Sequence, residues 1–571
     1  MRKGSRIVSM LAPIGLAGSL LLATAHAAGS GTDYIVEAMA HDAGAAAQAV
    51  RRVGGTITRN LPIVDGVSAR LTPAQAARLR RGGAVSLFED GAVVTQGTVT
   101  TSNPTIPDVY QRQMIGVNAL AAMGINGTGV TVAVVDSGIL HSSKRSYLTT
   151  DLNGNYRISA QYDALLGQTV DAGHPCPQDP CANDRWGHGS HIAGLIASSN
   201  TSDSFLNGVP QGIAPMVRLI NVKAFDDTGT GSYTTVVAAL NWLLANRATY
   251  GNLRVVNMSF GAKPQSFYWN DPIDQAVMKL WQAGIVVVAS AGNFGPAPQT
   301  IAVPGNTPYA ITVGAMTDNF TPDDPTDDGV TSFSSAGPTY EGFIKPDFVA
   351  PGGHLAAFMD VNLQQLPAKY PQFGTHDANL FIMSGTSQAA AVTSGVVALM
   401  LQANPTLTPD QVKCRLIASA NAALGRGGKA AYSVFQQGAG RIDAAAAVFS
   451  QAANCANQGL HLAADIAGTQ HFGGPAHQDP GTGNFYVANA LGQPLSGDGY
   501  LWNQSYAKSQ GYLWNQGYLW NQGYLWNNGY LWNQGYLWNQ GYLWNNGYLW
   551  NQNAVATASS PAATESWNAQ E

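Results

Sequence analysis

Hydrophobic positions change their period several times along the chain. The first 27 residues join a basic start (Arg2, Lys3, Arg6) to an apolar run through Leu20, Leu21, Leu22 and Ala23, closed by Ala25-His26-Ala27. Charge, apolar centre and small residues in that order form the pattern of a cleaved export signal, and Pro13 breaks the run short of the roughly 20 apolar residues that spanning needs. Residues 33–95 predict a small α+β unit. Tyr34-Ile35-Val36 opens a strand, Asp42 caps an Ala-rich helix that Gly54-Gly55 stops, and Thr72 to Gln75, with Pro73 between, is a capping box for a second helix. Residues 96–112 are rich in Thr, Ser and Pro without apolar periodicity, as in an exposed connector.

Between residues 113 and 450, apolar runs alternate with helical patterns. Val130 to Val135, Leu253 to Val256 and Ile285 to Ala289 are nearly continuous and β-branched, which fits strands covered on both faces. The segment from Ser232 to Ala248 is helical, and Thr408-Pro409-Asp410-Gln411 opens another helix with a capping box. The fold class is therefore α/β: a mostly parallel sheet flanked by helices, preceded by the small α+β unit. Residues 456–498, rich in Gly, His and Pro, read as a linker. Over 499–552 a Tyr-Leu-Trp-Asn core recurs at period six, starting at Tyr500 and again from Tyr512 to Tyr548. Six is a multiple of two but not of 3.6, so in a strand every Tyr and Trp would share a face. Three readings stay open for this repeat: a β array that contacts polysaccharide or cell surface, a self-associating segment, or a tail removed on maturation. Residues 553–571 read as a disordered tail.

Composition narrows the function classes. The 571 residues are 45% hydrophobic and only 11% charged, against about 25% charged in typical domains. A net charge of -5 leaves no basic footprint, which argues against a nucleic-acid partner. No later run is long enough for a transmembrane anchor. Export makes the four cysteines candidates for disulfides, with local pairing expected, Cys176 with Cys181 and Cys414 with Cys455; buried free thiols are the alternative.

Three polar segments sit where open α/β sheets gather chemistry, at strand ends and helix starts. The run ending at Val135 delivers Asp136-Ser137-Gly138. Trp186-Gly187-His188-Gly189-Ser190-His191 opens an apolar helix, with glycines leaving room for another chain beside His188. Met383-Ser384-Gly385-Thr386-Ser387 leads into a helix of small residues, with the Ser387 oxygen expected to be exposed there beside the positive end of the dipole. Alone, each has a plainer reading: a turn aspartate, a structural histidine, an N-cap serine. His191 reads as a packed neighbour of His188.

Taken together, in the order Asp, His, Ser, the three segments are far more specific, and on them the chain resembles the subtilisin-like serine proteases, or subtilases, over roughly residues 113–450. The resemblance implies a triad of Asp136, His188 and Ser387. It further implies Asn293 in Ala289-Ser290-Ala291-Gly292-Asn293 as oxyanion donor, a residue that would otherwise read as part of a turn. Ser259, Phe260, Gly261 and Gly292 would border the substrate, with the strand before Gly261 pairing to its extended backbone. Residues 33–95 resemble the family's inhibitory propeptide, whose carboxyl end near residues 88–105 would occupy the cleft and be cut. Gln388 and Ala391 depart from the Met and Pro usual after the nucleophile. No cofactor is implied for the chemistry. Calcium is common in the family, and the run Asp323, Asp324, Asp327 and Asp328 is acidic enough to suggest a structural calcium site; with no diagnostic ligand spacing, a solvated acidic loop is the plainer reading. The expectation is a secreted, self-processing serine endopeptidase acting on polypeptides; the competing class is an inactive surface-binding or adhesive protein on the same fold.

Overall fold

The computed structural model describes residues 31–96, 110–141, 146–170, 183–202, 206, 208–321, 324, 326–374, 380–424 and 430–488. The expected export signal, the Cys176–Cys181 pair, the repeat and the tail lie outside the described residues.

In the N-terminal unit, β1 (Thr32–Ala38), β2 (Thr56–Leu61), β3 (Gly66–Leu71) and β4 (Val85–Glu89) form an antiparallel sheet in the order β2-β3-β1-β4, with helices Ala43–Arg52 and Pro73–Gly82. The helices start where their caps dictate. Asp42 accepts the Gly44 N–H at 2.8 Å, and Thr72 and Gln75 bond each other's backbone N–H. Alternation along β1 divides two cores. Tyr34 and Val36 pack with Val50 and Leu79 inside the unit, whereas Ile35 joins the core of the larger domain. The sheet therefore docks by its second face. One further strand, β5 (Ala92–Thr95), leaves it altogether.

The larger domain is built from β6 (Thr131–Asp136), β7 (Ile158–Asp163), β8 (Gln168–Val170), β9 (Arg218–Lys223), β10 (Thr230–Ser232), β11 (Leu253–Met258), β12 (Phe260–Gly261), β13 (Val286–Ser290), β14 (Ile311–Thr317), β15 (Gly329–Val330) and β16 (Phe348–Pro351). Nine of these strands form one sheet in the order β15-β14-β13-β11-β6-β9-β7-β8, with β16 also on β14; β10 and β12 stay outside it. Pairing is parallel except where β8 meets β7 and β15 meets β14. All residues of β6, β13 and β14 are buried, as their continuous apolar runs require. Two helices that begin at polar segments, His188–Ala197 and Thr386–Ala403, pack against each other. Beside them lies the hairpin of β17 (Leu355–Phe358) and β18 (Leu380–Met383).

Two expectations from composition need correcting. The connector reading of residues 96–112 fails at its ends, because Gln96, Gln111 and Arg112 are all buried. Residues 456–488 are packed structure rather than linker, with helix Leu462–Ile466 and the pair β19 (Ala476–Gln478) and β20 (Phe485–Val487). Phe472 is fully buried, and the Asp465 carboxylate accepts the hydroxyls of Tyr268 at 2.6 Å and Tyr309 at 3.1 Å. The glycines there serve close packing: a Cβ on Gly474 would lie 2.1 Å from the Gly342 carbonyl oxygen. Composition cannot separate that use from flexibility.

Cys414 and Cys455 form a disulfide across 41 positions. Replacing both by Ser is expected to lower stability by about 4 kcal/mol, from the chain entropy the loop restores to the unfolded state. Urea unfolding checks it, and an unchanged midpoint refutes it. Among the described residues no helix is long and apolar enough to cross a membrane.

Candidate active site

Asp136 ends β6, and His188 begins its helix. Their approach depends on a glycine. A Cβ on Gly189 would stand 2.1 Å from the Gly138 carbonyl oxygen, so only glycine lets the turn after β6 lie against the helix start. The chain that the glycines beside His188 admit is thus the one carrying Asp136. Its carboxylate oxygens lie 2.8 and 3.0 Å from His188 Nδ1, with both side chains buried. A carboxylate can only accept, so Nδ1 carries the proton and Nε2 presents its lone pair. Burial pushes the His188 pKa down. The charge and hydrogen bond of Asp136, with Asp184 and the Gln96 backbone behind them, outweigh burial and hold it above the ordinary value.

Sequence reasoning missed Asp184. Its buried carboxylate accepts Ser137 Oγ at 2.9 Å and the N–H groups of Gly187 and Ser190 at 2.8 Å each. Ser190 Oγ, at 2.7 Å, and Gln364 Nε2, at 3.1 Å, complete its partners. Burial nevertheless raises its pKa. Asp184 thereby ties the turn after Asp136 to the start of the His188 helix; its place four residues before that histidine, at a helix N-terminus, was the available signal. His191 is packed and neutral, its pKa pushed down to about 3 by burial first and by His188 second. Its Nε2 donates to the Leu355 and Phe381 carbonyls at 3.1 and 3.0 Å.

Ser387 is the second residue of its helix, and it is fully buried rather than exposed. Its Oγ donates to the Ser259 carbonyl at 3.0 Å, and Ser259 Oγ donates back to the Ser387 carbonyl at 2.9 Å. Nε2 of His188 has no hydrogen-bond partner among the described residues. Asn293 Oδ1 accepts both the N–H and the hydroxyl of Thr386, at 3.0 and 2.9 Å. A backbone N–H can only donate, so the oxygen's place is settled and Nδ2 is the donor end of the amide.

The cleft holds a strand of the chain itself. β5 lies antiparallel between β10 and β12, with Val94 opposite Thr230 on one side and Gly261 on the other, and Thr95 opposite Phe260. Gln96 continues it, its N–H directed to the Ser259 carbonyl at 3.4 Å and its Oε1 accepting the Asn293 N–H at 3.0 Å. Gln96 reaches the start of the Ser387 helix, where a Cβ on Gly385 would lie 3.1 Å from the Gln96 carbonyl oxygen. Ser259, Phe260 and Gly261 thus border β5 and Gln96 with their backbone, while the Phe260 ring packs inward on Phe225, ring centroids 5.0 Å apart. Gly292 supports the wall, its N–H donating to Thr386 Oγ1 at 3.1 Å.

A profile of the Subtilase family (Peptidase_S8) matches residues 127–440. The chain belongs to the subtilases. The serine protease AprX of Bacillus subtilis (strain 168) is 39% identical over 293 residues, 51% of this chain and 60% of AprX. This subtilase therefore spans less than two thirds of AprX. Subtilisin E of the same organism is 31% identical over 370 residues, 64% of this chain and 78% of subtilisin E. In fold it is similar to the crystal structure of fervidolysin from Fervidobacterium pennivorans, described as a keratinolytic enzyme related to subtilisin, with a TM-score of 0.57 and 20% identity over 81% of this chain and 68% of that one.

Where this subtilase departs from the expected pattern, Gln388 is fully buried with neither amide atom hydrogen-bonded among the described residues. Of the acidic run, Asp323 lies outside the described residues, and the other three carboxylates are engaged by neighbouring side chains. Asp324 accepts Thr326 and Asp327 accepts Thr321, while Asp328 pairs with Arg441 at 2.7 Å. Among the described residues no group of His, Cys, Asp or Glu is arranged to hold a metal ion.

Proposed function

We propose that this subtilase is a secreted serine endopeptidase made as a self-processing precursor, with Asp136, His188 and Ser387 as its triad. The observation that carries the reading is β5: an extended peptide bonded along both edges, running to Gln96 beside His188 and Asn293. That is the pose of a polypeptide substrate held by β-augmentation. Residues 33–95 serve as propeptide and occupy the cleft until cut. Export rests on the pattern of residues 1–27, and the Cys414–Cys455 bond suits an oxidising compartment. The repeat at 499–552 would contact a polysaccharide or cell surface outside the catalytic fold.

In the reaction, Ser387 Oγ turns from Ser259 toward His188, whose Nε2 lone pair takes its proton as Oγ attacks the peptide carbonyl. Asp136 holds the required tautomer and balances the imidazolium. Asn293 Nδ2 donates to the developing oxyanion, a contribution of about 3 kcal/mol for such a donor. An inactive adhesive protein has no observation in its favour.

Phenylmethylsulfonyl fluoride tests the assignment. The matured protein should lose casein hydrolysis as one sulfonyl group per chain appears on Ser387, and His188→Ala should prevent the labelling. Casein hydrolysis that survives complete labelling, or an adduct on another serine, overturns the triad.

A further inference from the structure

Segment 456–488 lies beyond residues 127–440, the part matched to the family, yet it reaches a loop at the far end of the cleft. Residues 262–271 form that loop and join β12, which borders the cleft strand, to helix Pro272–Gln282. Ala262 pairs with Val303 at one end, and Asp271 caps the helix at the other. Between these ends Gln265 meets the cleft chain, since a Cβ on Gly91 would lie 2.9 Å from Gln265 Nε2. Gly91 stands five residues before Gln96, and its carbonyl accepts the Tyr233 N–H at 3.2 Å.

Tyr268, three residues after Gln265, is fully buried, and the later segment meets its hydroxyl. That hydroxyl donates to Asp465 Oδ2 at 2.6 Å and accepts the Phe472 N–H at 3.4 Å. The Tyr268 N–H donates to Glu341 Oε1 at 3.0 Å. Glu341 sits on a turn that the segment also bonds, through Gly474 N–H to the Glu341 carbonyl at 2.8 Å and Ala476 N–H to the Gly342 carbonyl at 3.0 Å. Trp269 stacks on His471 with ring centroids 4.7 Å apart, and His471 Nδ1 lies 2.9 Å from Asp465 Oδ1. Ring, backbone and neighbour of Tyr268 are thus all tied to one segment, whose central carboxylate comes 197 positions later.

We propose that segment 456–488 is a brace for the far end of the cleft, with Asp465 as a positioning residue that, through Tyr268, sets Gln265 against the substrate backbone at the place of Gly91. The inference rests on the peptidase reading above. Asp136, His188 and Ser387 are carried by β6 and by the helices that begin at His188 and Thr386, so the brace acts on the binding of long substrates rather than on the bond-breaking step. An extended peptide loses backbone freedom when it binds, and a wall already held in place adds contact without a further ordering cost. Without the Asp465 carboxylate, the buried hydroxyls of Tyr268 and Tyr309 lose their shared acceptor, and the loop must shift for them to find another.

The test uses the matured protein and acetylated p-nitroanilides of Val-Val-Thr-Gln and Gly-Ala-Val-Val-Thr-Gln, the chain's own residues 93–96 and 91–96. In wild type, kcat/KM should be about tenfold higher for the longer peptide. In Asp465→Ala that ratio should fall to about threefold, with the fall lying in KM of the longer peptide rather than in kcat. Asp465→Asn should restore most of the ratio, because its amide oxygen can accept both tyrosine hydroxyls while its NH₂ meets the lone pair of His471 Nδ1. Where Asp465→Ala does not fold, Tyr268→Phe removes one bond of the brace at nearly constant volume and should lower the ratio to about fivefold. A wild type that does not favour the longer peptide, or variants that slow both peptides equally and keep the ratio, overturns the brace. In either case a wild type that cleaves the short peptide leaves the peptidase reading standing. If it cleaves neither peptide nor casein, that reading itself has failed.

Discussion

Asp136→Asn is expected to lower kcat on a soluble peptide by about 10⁴-fold while the fold stays intact. The carboxylate now accepts the Nδ1–H of His188 through contacts of 2.8 and 3.0 Å, and accepts the Ser137 N–H at 2.7 Å. The Ser137 N–H can only donate, so it holds the amide oxygen of an Asn at Oδ1 and leaves the NH₂ in the place of Oδ2, 3.0 Å from Nδ1. With one acceptor lost and a donor set against Nδ1, the tautomer that carries its proton on Nε2 is favoured, and that imidazole does not take the proton of Ser387. Little volume changes, and Asp184 still holds Ser137, Gly187 and Ser190, so the thermal midpoint should barely move. The variant should also accumulate as the uncut precursor. A loss of less than tenfold in kcat, with folding intact, would show that Asp136 does not set the tautomer.

Inhibition by the excised N-terminal unit is expected to weaken by roughly 10³-fold in Ki between pH 5 and pH 8. Glu37 on β1 is buried where the unit meets helix Pro272–Gln282, and its pKa is pushed up to about 8. Burial is the chief cause, opposed by hydrogen bonds from Gln275 and Ser86 and reinforced by the charges of Asp271 and Asp65. Gln275 Nε2 lies 3.2 Å and Ser86 Oγ 3.3 Å from Glu37 Oε2, while Oε1 has no hydrogen-bond partner among the described residues. Lys279, on the same helix as Gln275, pairs with Asp65 at 3.9 Å.

The sign follows from linkage. The docked carboxyl titrates near 8 and the released one near its ordinary 4.5, so docking takes up a proton between those values. Docking is fully favourable below about pH 4.5, weakens about tenfold per pH unit above it, and levels off past about pH 8. Asp90, whose pKa burial also raises, acts in the same direction. Glu37→Gln keeps the hydrogen bonds without the charge and should flatten most of the slope. A wild-type Ki that does not change with pH sinks the idea.

Both effects depend on residues of unequal legibility. Asp136 and His188 could be found because a strand-ending acid and a glycine-flanked helix start are local patterns. Asp184 had only its place four residues before His188 as a signal, since part of its role is decided by Gln364, 180 positions away. Gln96 sat in a stretch whose Thr, Ser and Pro content reads as an exposed connector, yet it fills the cleft. Asp465 looked like a linker residue because the tyrosines it satisfies lie 197 and 156 positions earlier. Glu37 is one acid among several in its segment until a second surface covers it.

The element types, the helix caps and the parallel character of the sheet are legible in the chain alone, because side-chain period and capping act within a few residues; the proposed acid, base and nucleophile came from three polar segments taken together. That β5 and Gln96 fill the cleft, that Ser387 is buried and that Glu37 loses its solvent became visible only in the folded molecule. Those outcomes depend on which surfaces dock, and both the desolvation that moves a pKa and the shape of a pocket exist only once distant segments meet.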